Sequence, residues 1–272
     1  MMAGAIALYE EAMHDPAAAV VLRTEDGRAQ PLQVSRWCAP PDAADEELLR
    51  HCRGPVLDVG CGPGRLTVAL TERGIPALGV DISQAAVARV RGAGAPALRR
   101  SVFEPLPGEG RWATVLLADG NIGIGGLPAR LLRRCAELVA PDGQILIEAE
   151  PGNVDERLTA WLEHPDGRRG PVFPWARMGT TALLRAVADA GLHVTRQWQH
   201  ADRAFIGAVT RTDPRTVPWP GTRFRASEHA RGDGHQTTPG PATDRPRGPL
   251  VMRLLRRGHR EAPGDLPGLH AR

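Results

Sequence analysis

The run Val56-Leu57-Asp58-Val59-Gly60-Cys61-Gly62-Pro63-Gly64 carries an apolar strand into a turn with glycine at every second position. Glycines are needed where backbone passes so close to a ligand that a side chain would strike it. A dinucleotide fingerprint, G-x-G-x-x-G/A, also needs a small third residue for close helix packing. Counting from Gly60, that third position is Arg65, which disfavours a nicotinamide-dependent oxidoreductase. Seventeen residues after Gly64, Gly79-Val80-Asp81-Ile82-Ser83 places an acid at the edge of a second strand. In doubly wound folds a carboxylate there accepts hydrogen bonds from ribose hydroxyls. Ser83 is a sufficient N-cap for the helix that follows, which leaves Asp81 for a ligand.

Further polar groups gather where a fourth and a fifth strand end. Leu117-Ala118-Asp119-Gly120-Asn121-Ile122-Gly123 brings Asp119, Gly120 and Asn121 to the crevice outside the strand ends, where open α/β sheets bind ligands. Glu148 and Glu150 follow the fifth strand, and His200 lies in the link between the last two. If a hydroxyl or a protonated amine is the reacting group, a base must lie within hydrogen-bond reach of it. His200 is the first candidate and Glu150 the second. Trp37 and Trp175 offer flat faces for a planar or cationic partner, and Arg177 offers a charge for an anionic one.

These residues need a scaffold, and the chain alternates strand-like and helix-like runs from residue 55 onward. Strands are expected at 55–59, 77–80, 97–102, 113–118 and 144–148, with helices at 65–73, 84–91 and 129–139. This is the pattern of a parallel sheet covered on both faces. Pro141-Asp142-Gly143 marks a turn before the fifth strand. A helix at 180–190 precedes two β-like runs, 192–198 and 204–210, which form a closing hairpin. The expected fold is therefore α/β and doubly wound, with a seven-stranded, mostly parallel sheet and an antiparallel last strand. Residues 1–50 are expected as a helical cover of the site, 51–210 as the catalytic domain, and 151–177 as an inserted lid or arm turning at His164-Pro165-Asp166-Gly167.

Residues 211–272 hold 9 Pro, 8 Gly and 12 Arg and are expected to be disordered. With 6 acids this tail carries +6, while the first 210 residues carry −3. That domain has no electrostatic footprint for nucleic acid. Cys38, Cys52, Cys61 and Cys135 show no metal-ligand or disulfide spacing, which suits reduced thiols in cytoplasm and no metal site. No apolar run reaches the ~18 residues of a membrane span, and no signal peptide is expected. The oligomeric state is left open.

The glycine pattern preceded by Asp58, together with Asp81, resembles motif I and the strand-two acid of class I S-adenosylmethionine-dependent methyltransferases. The likeness covers about residues 54–210 and includes Pro141-Asp142-Gly143 and the strand after it. Pro105 through Gly126 and Phe173-Pro174-Trp175-Ala176-Arg177 resemble small methyltransferases of high-GC actinobacteria. The resemblance implies S-adenosylmethionine as cofactor, held around Asp58, Gly60, Cys61, Gly62 and Gly64. It gives Asp81 both ribose hydroxyls and sets Ile82 on the adenine. Where relatives often carry an acid for the adenine amino group this chain has Ser101, so that contact passes to Ser101, while the Val102 N–H bonds a ring nitrogen. Asp119, Gly120 and Asn121 would face the methionine part and the acceptor. No Asn/Asp-Pro-Pro-Tyr/Phe or Pro-Cys run follows the fourth strand, which speaks against methylation of adenine amines or cytosine carbon. The expected substrate is a small molecule methylated on O or N. The alternatives are a nucleic-acid or protein methyltransferase aided by the basic tail, and a cofactor-binding protein without catalysis.

Overall fold

The computed structural model describes residues 3–15 and 18–210. Its N-terminal part runs α1 (Ala3–His14), β1 (Val21–Thr24), β2 (Ala29–Pro31), α2 (Val34–Cys38) and α3 (Ala43–Arg50). Then come β3 (Val56–Val59), α4 (Arg65–Glu72), β4 (Ala77–Asp81), α5 (Gln84–Gly92), β5 (Ala97–Arg99) and β6 (Trp112–Leu117). A 3-10 turn at Asn121–Gly126 leads to α6 (Pro128–Leu138), β7 (Val139–Ala149), β8 (Asp155–Glu163) and β9 (Phe173–Met178). The described chain closes with α7 (Thr180–Asp189), β10 (His193–His200) and β11 (Arg203–Val209).

The main sheet has seven strands in the order β10-β11-β7-β6-β3-β4-β5. β3, β4, β5, β6 and β7 pair in parallel, and β11 enters antiparallel between β7 and β10. This is the doubly wound architecture expected from the strand and helix pattern. Because both faces are covered, the central strands are apolar throughout rather than alternating. Leu57, Val59, Val115, Leu117, Ile145 and Ile147 point to the face closed by α6 and α7. Val56, Leu116 and Leu146 point to the face closed by α3 and α4, through Leu48, Leu49, Leu66 and Leu70. Asp42 and Asp45 form a capping box that starts α3.

Three boundaries differ from the sequence reading. Residues 4–50 are not all helical, because β1 and β2 join β8 and β9 in a second, antiparallel sheet of order β2-β1-β8-β9. β1 pairs Leu22 with Leu162 and Thr24 with Ala160, so the partner of this short strand lies far along the chain and leaves no local pattern. β5 ends at Arg99 because residues 101–104 close into a turn. β7 begins at Val139 and runs through Pro141-Asp142-Gly143, with an irregular register between Trp112 and Thr114 on its neighbour. The reading of residues 211–272 as a disordered tail lies outside the described residues.

Candidate active site

The glycine loop leaves β3 with φ of 71° at Gly60, 52° at Gly62 and 99° at Gly64, values that L side chains rarely adopt. A Cβ on Gly60 would stand 2.8 Å from the Asn121 carboxamide, and one on Gly64 2.5 Å from Val90. The loop is held from β4, where the Val80 carbonyl accepts from Gly60 N–H at 2.8 Å and Cys61 N–H at 3.1 Å. Asn121 completes the clamp: its Nδ2 donates to the Val59 and Gly60 carbonyls at 3.0 and 2.9 Å. The Cys61 side chain turns toward Gly79, and burial pushes its thiol pKa up.

The two acids of the motif do different work. Asp58 is 2% exposed and accepts from the Thr67 hydroxyl at 2.6 Å. It lies in β3 beneath the loop and braces α4. Burial pushes its pKa up to about 7. Asp81 ends β4 and accepts from the Gly62 N–H at 2.9 Å and the Ser83 N–H at 2.8 Å. Burial raises its pKa, and those backbone donors pull the other way. Ile82, beside it, is 40% exposed, an apolar surface presented at the rim.

Residues 101–104 form the next wall. Glu104 accepts from the Ser101 N–H at 2.8 Å, and the Ser101 hydroxyl accepts from the Phe103 N–H at 3.3 Å. Arg134 fastens the turn by donating to the carbonyls of Val102 and Glu104 at 2.9 and 3.0 Å. Glu104 thus shapes the turn. Among the described residues the Val102 N–H has no acceptor.

On the other side of β3 an ion-pair network closes the crevice. Asp119 has φ of 53° and donates its N–H to Glu148 at 2.8 Å. Its carboxylate accepts from Arg36 at 2.6 Å and Arg65 at 2.5 Å. Arg65 also pairs with Asp45, and Arg203 reaches Glu148 at 2.6 and 2.8 Å and Asp45 at 2.7 Å. Arg36, Asp45 and Arg203 were missed because nothing local in the sequence links α2, α3 and β11.

Helix α1 supplies two more groups absent from the sequence reading. The Tyr9 hydroxyl lies 3.1 Å from where a Cβ on Gly62 would stand. Burial, then the nearby Asp81 charge, raises its pKa, so it remains a neutral phenol. Glu10 accepts from the Ser83 hydroxyl at 2.8 Å and the Ala85 N–H at 3.1 Å, which pins α1 to the start of α5. Trp37 meets Tyr9 edge-on with centroids 6.2 Å apart. Trp175 packs on Gly123 and edge-on to Phe173 at 6.2 Å. Glu150 accepts from Arg177 at 3.1 Å and lies 3.6 Å from the Cβ position of Gly120. His200 ends β10 beside Arg203, two strands outward from β7. At ~4.8 Å per strand that leaves it about 10 Å from the Glu150 edge.

A methyltransferase domain profile matches residues 33–197, which is more than half of the chain and includes the loop, Asp81, Asp119 and Glu150. The chain belongs to this methyltransferase domain family. A ubiquinone biosynthesis O-methyltransferase of Pseudomonas paraeruginosa is 35% identical over 101 residues, covering 34% of this chain and 42% of that protein. The chain spans less than half the length of the curated relatives it matches. Among solved structures, an S-adenosylmethionine-dependent methyltransferase from Bacteroides fragilis, in complex with S-adenosylhomocysteine, superposes with TM-score 0.64 at 20% identity. That match covers 76% of this chain and 94% of the other. The Burkholderia thailandensis 1,6-didemethyltoxoflavin-N1-methyltransferase, solved with that substrate and S-adenosylhomocysteine, gives TM-score 0.51 at 18% identity, covering 75% and 85%. At these identities the two structures bear on the fold alone. Among the described residues no helix is long and apolar enough to cross a membrane.

Proposed function

We propose that this methyltransferase transfers a methyl group from S-adenosylmethionine to an oxygen or nitrogen of a small metabolite in the cytoplasm. The reading rests on Asp81, whose carboxylate is fixed at the end of β4 by two backbone N–H groups beside a loop that glycines keep clear. In this reading Asp81 takes the ribose hydroxyls, Ile82 the adenine face and the Val102 N–H a ring nitrogen. The Gly60–Gly64 backbone and the Tyr9 hydroxyl border the ribose and methionine parts, with Arg36 and Asp119 at the far end. When bound, the cofactor supplies an activated methyl group on a sulfonium.

What remains for the protein is alignment, which is worth ~7 to 11 kcal/mol for well-oriented partners, and exclusion of water. In this reading the second sheet and α1 serve both. Glu150 is the base of this proposal, because it follows β7 and Arg177 orients it; it takes the proton that the acceptor releases. The neutral-to-acidic balance of residues 1–210 supports a small acceptor over nucleic acid. Assay of S-adenosylhomocysteine release across a panel of phenols, amines and sugars tests this. Turnover on at least one member that survives removal of residues 211–272 is expected. Turnover only on protein or nucleic acid, lost on that truncation, would contradict it.

A further inference from the structure

The inner face of the second sheet holds a pocket of about 250 Å³, lined by Leu22, Thr24, Arg28, Gln30, Leu158 and Arg177, with Ala29 at its edge. Arg177 ties this pocket to the proposed base, since its Nη2 donates to Glu150. Trp175 stands opposite Leu158 in the β8–β9 register, and continues the wall toward Gly123. We infer that this pocket, and so the β1–β2 hairpin, receives the methyl acceptor, and that the acceptor is a neutral molecule of one or two rings bearing an oxygen. The inference rests on the methyltransferase reading above.

Size sets the first limit. Drug-sized ligands occupy ~300 to 1,000 Å³, and an apolar cavity of ~150 Å³ accepts benzene, so this space suits one or two rings. Leu22 and Leu158 supply apolar contact for them.

Charge sets the second. Arg28 donates to Asp26 at 2.7 Å and to both oxygens of Glu156 at 2.8 and 2.9 Å. Arg177 pairs with Glu150 at 3.1 Å and Glu156 at 3.5 Å. Two guanidiniums therefore face three carboxylates, and an anionic ligand finds no unpaired cation. The Arg177 Nε–H, closed off from solvent, has no hydrogen-bond partner among the described residues, so a ligand toward which the guanidinium turns supplies a bond whose absence is costly. An ammonium group has no lone pair to accept it. A hydroxyl or carbonyl oxygen meets both conditions.

The test is titration calorimetry on the full chain, first with S-adenosylhomocysteine and then, in its saturating presence, with 2-naphthol, 2-naphthoate or 2-naphthylmethylammonium. Naphthol is expected to bind at least ~10-fold more tightly than either charged probe, a difference of ~1.4 kcal/mol. Gln30→Trp, on the exposed edge strand β2, and Leu158→Trp both fill the pocket. Each is expected to weaken naphthol at least ~10-fold and leave S-adenosylhomocysteine affinity within ~2-fold. A charged probe binding best would overturn the neutral assignment. Naphthol binding that both variants leave intact, or its absence from a protein that binds S-adenosylhomocysteine, would overturn the pocket. Failure to bind S-adenosylhomocysteine itself would instead count against the methyltransferase reading.

Discussion

Asp81 and Asp119 end the two strands that flank β3, yet they are held by opposite means. Asp81 is gripped by backbone N–H groups of Gly62 and Ser83, donors that persist whatever side chains surround them. Asp119 is gripped by the guanidiniums of Arg36 and Arg65, and its own N–H leans on Glu148, which Arg203 holds. One wall of the crevice is thus built from main chain within a short stretch of sequence. The other is built from side chains that α2, α3, α4, β7 and β11 bring together. A wall of the first kind survives changes in the side chains around it, whereas a wall of the second kind is weakened when any one of its buried charges is removed.

The largest expected effect lies in the side-chain wall. Arg203→Met removes the partner of Glu148 and Asp45, which stay buried, and breaking a buried pair from one side costs ~3 to 5 kcal/mol. Chemical denaturation should show that loss; less than ~1 kcal/mol would mean that the network contributes little to the fold. Next comes Gly60→Ala in the main-chain wall, where the new Cβ meets the Asn121 carboxamide at a φ of 71°. Backbone strain of this kind costs ~1 to 3 kcal/mol, and the same variant should weaken S-adenosylhomocysteine binding because the loop must shift.

Asp58 provides a pH test that sets its buried carboxyl apart from both walls. Its folded pKa of about 7 lies above the ~3.9 of an unfolded aspartate. The folded state therefore holds more protons between these values, and stability falls as pH rises from about 4 to about 7. Asp58→Asn should flatten that part of the stability profile; an unchanged slope would show that another group carries it.

The contrast between the walls also explains what could be read from the sequence. The glycine spacing, the acid at position 81 and the alternation of strands and helices are local, and they led to the observed sheet and loop. The position of Asp58 in the motif does not reveal that its carboxylate accepts from Thr67 on α4. Tyr9, Glu10, Arg36 and Arg203 reach the site only through tertiary folding, and β1 gains its partner from β8. Their signals are distances in space, which a single sequence does not carry. His200, favoured as a base from its loop position, sits on the outermost strand, whereas Glu150 lies at the end of β7.

The smallest effect is expected at Ser101. Its hydroxyl makes one long contact, to the Phe103 N–H at 3.3 Å, while Glu104 and Arg134 hold the turn. Ser101→Ala should change stability by no more than ~0.5 kcal/mol and leave cofactor affinity within ~3-fold. A larger loss of affinity would assign the adenine contact to the Ser101 side chain rather than to the Val102 N–H.

The central claim is that Asp81 and the glycine loop form a binding site for S-adenosylmethionine. Titration calorimetry of the purified full chain with S-adenosylmethionine, S-adenosylhomocysteine and NAD, repeated on Asp81→Ala, tests it most directly. The account predicts micromolar binding of the first two, none of NAD, and a loss of at least ~30-fold in the variant, equivalent to ~2 kcal/mol. Binding of NAD alone, or affinity for S-adenosylmethionine that Asp81→Ala leaves unchanged, would contradict it.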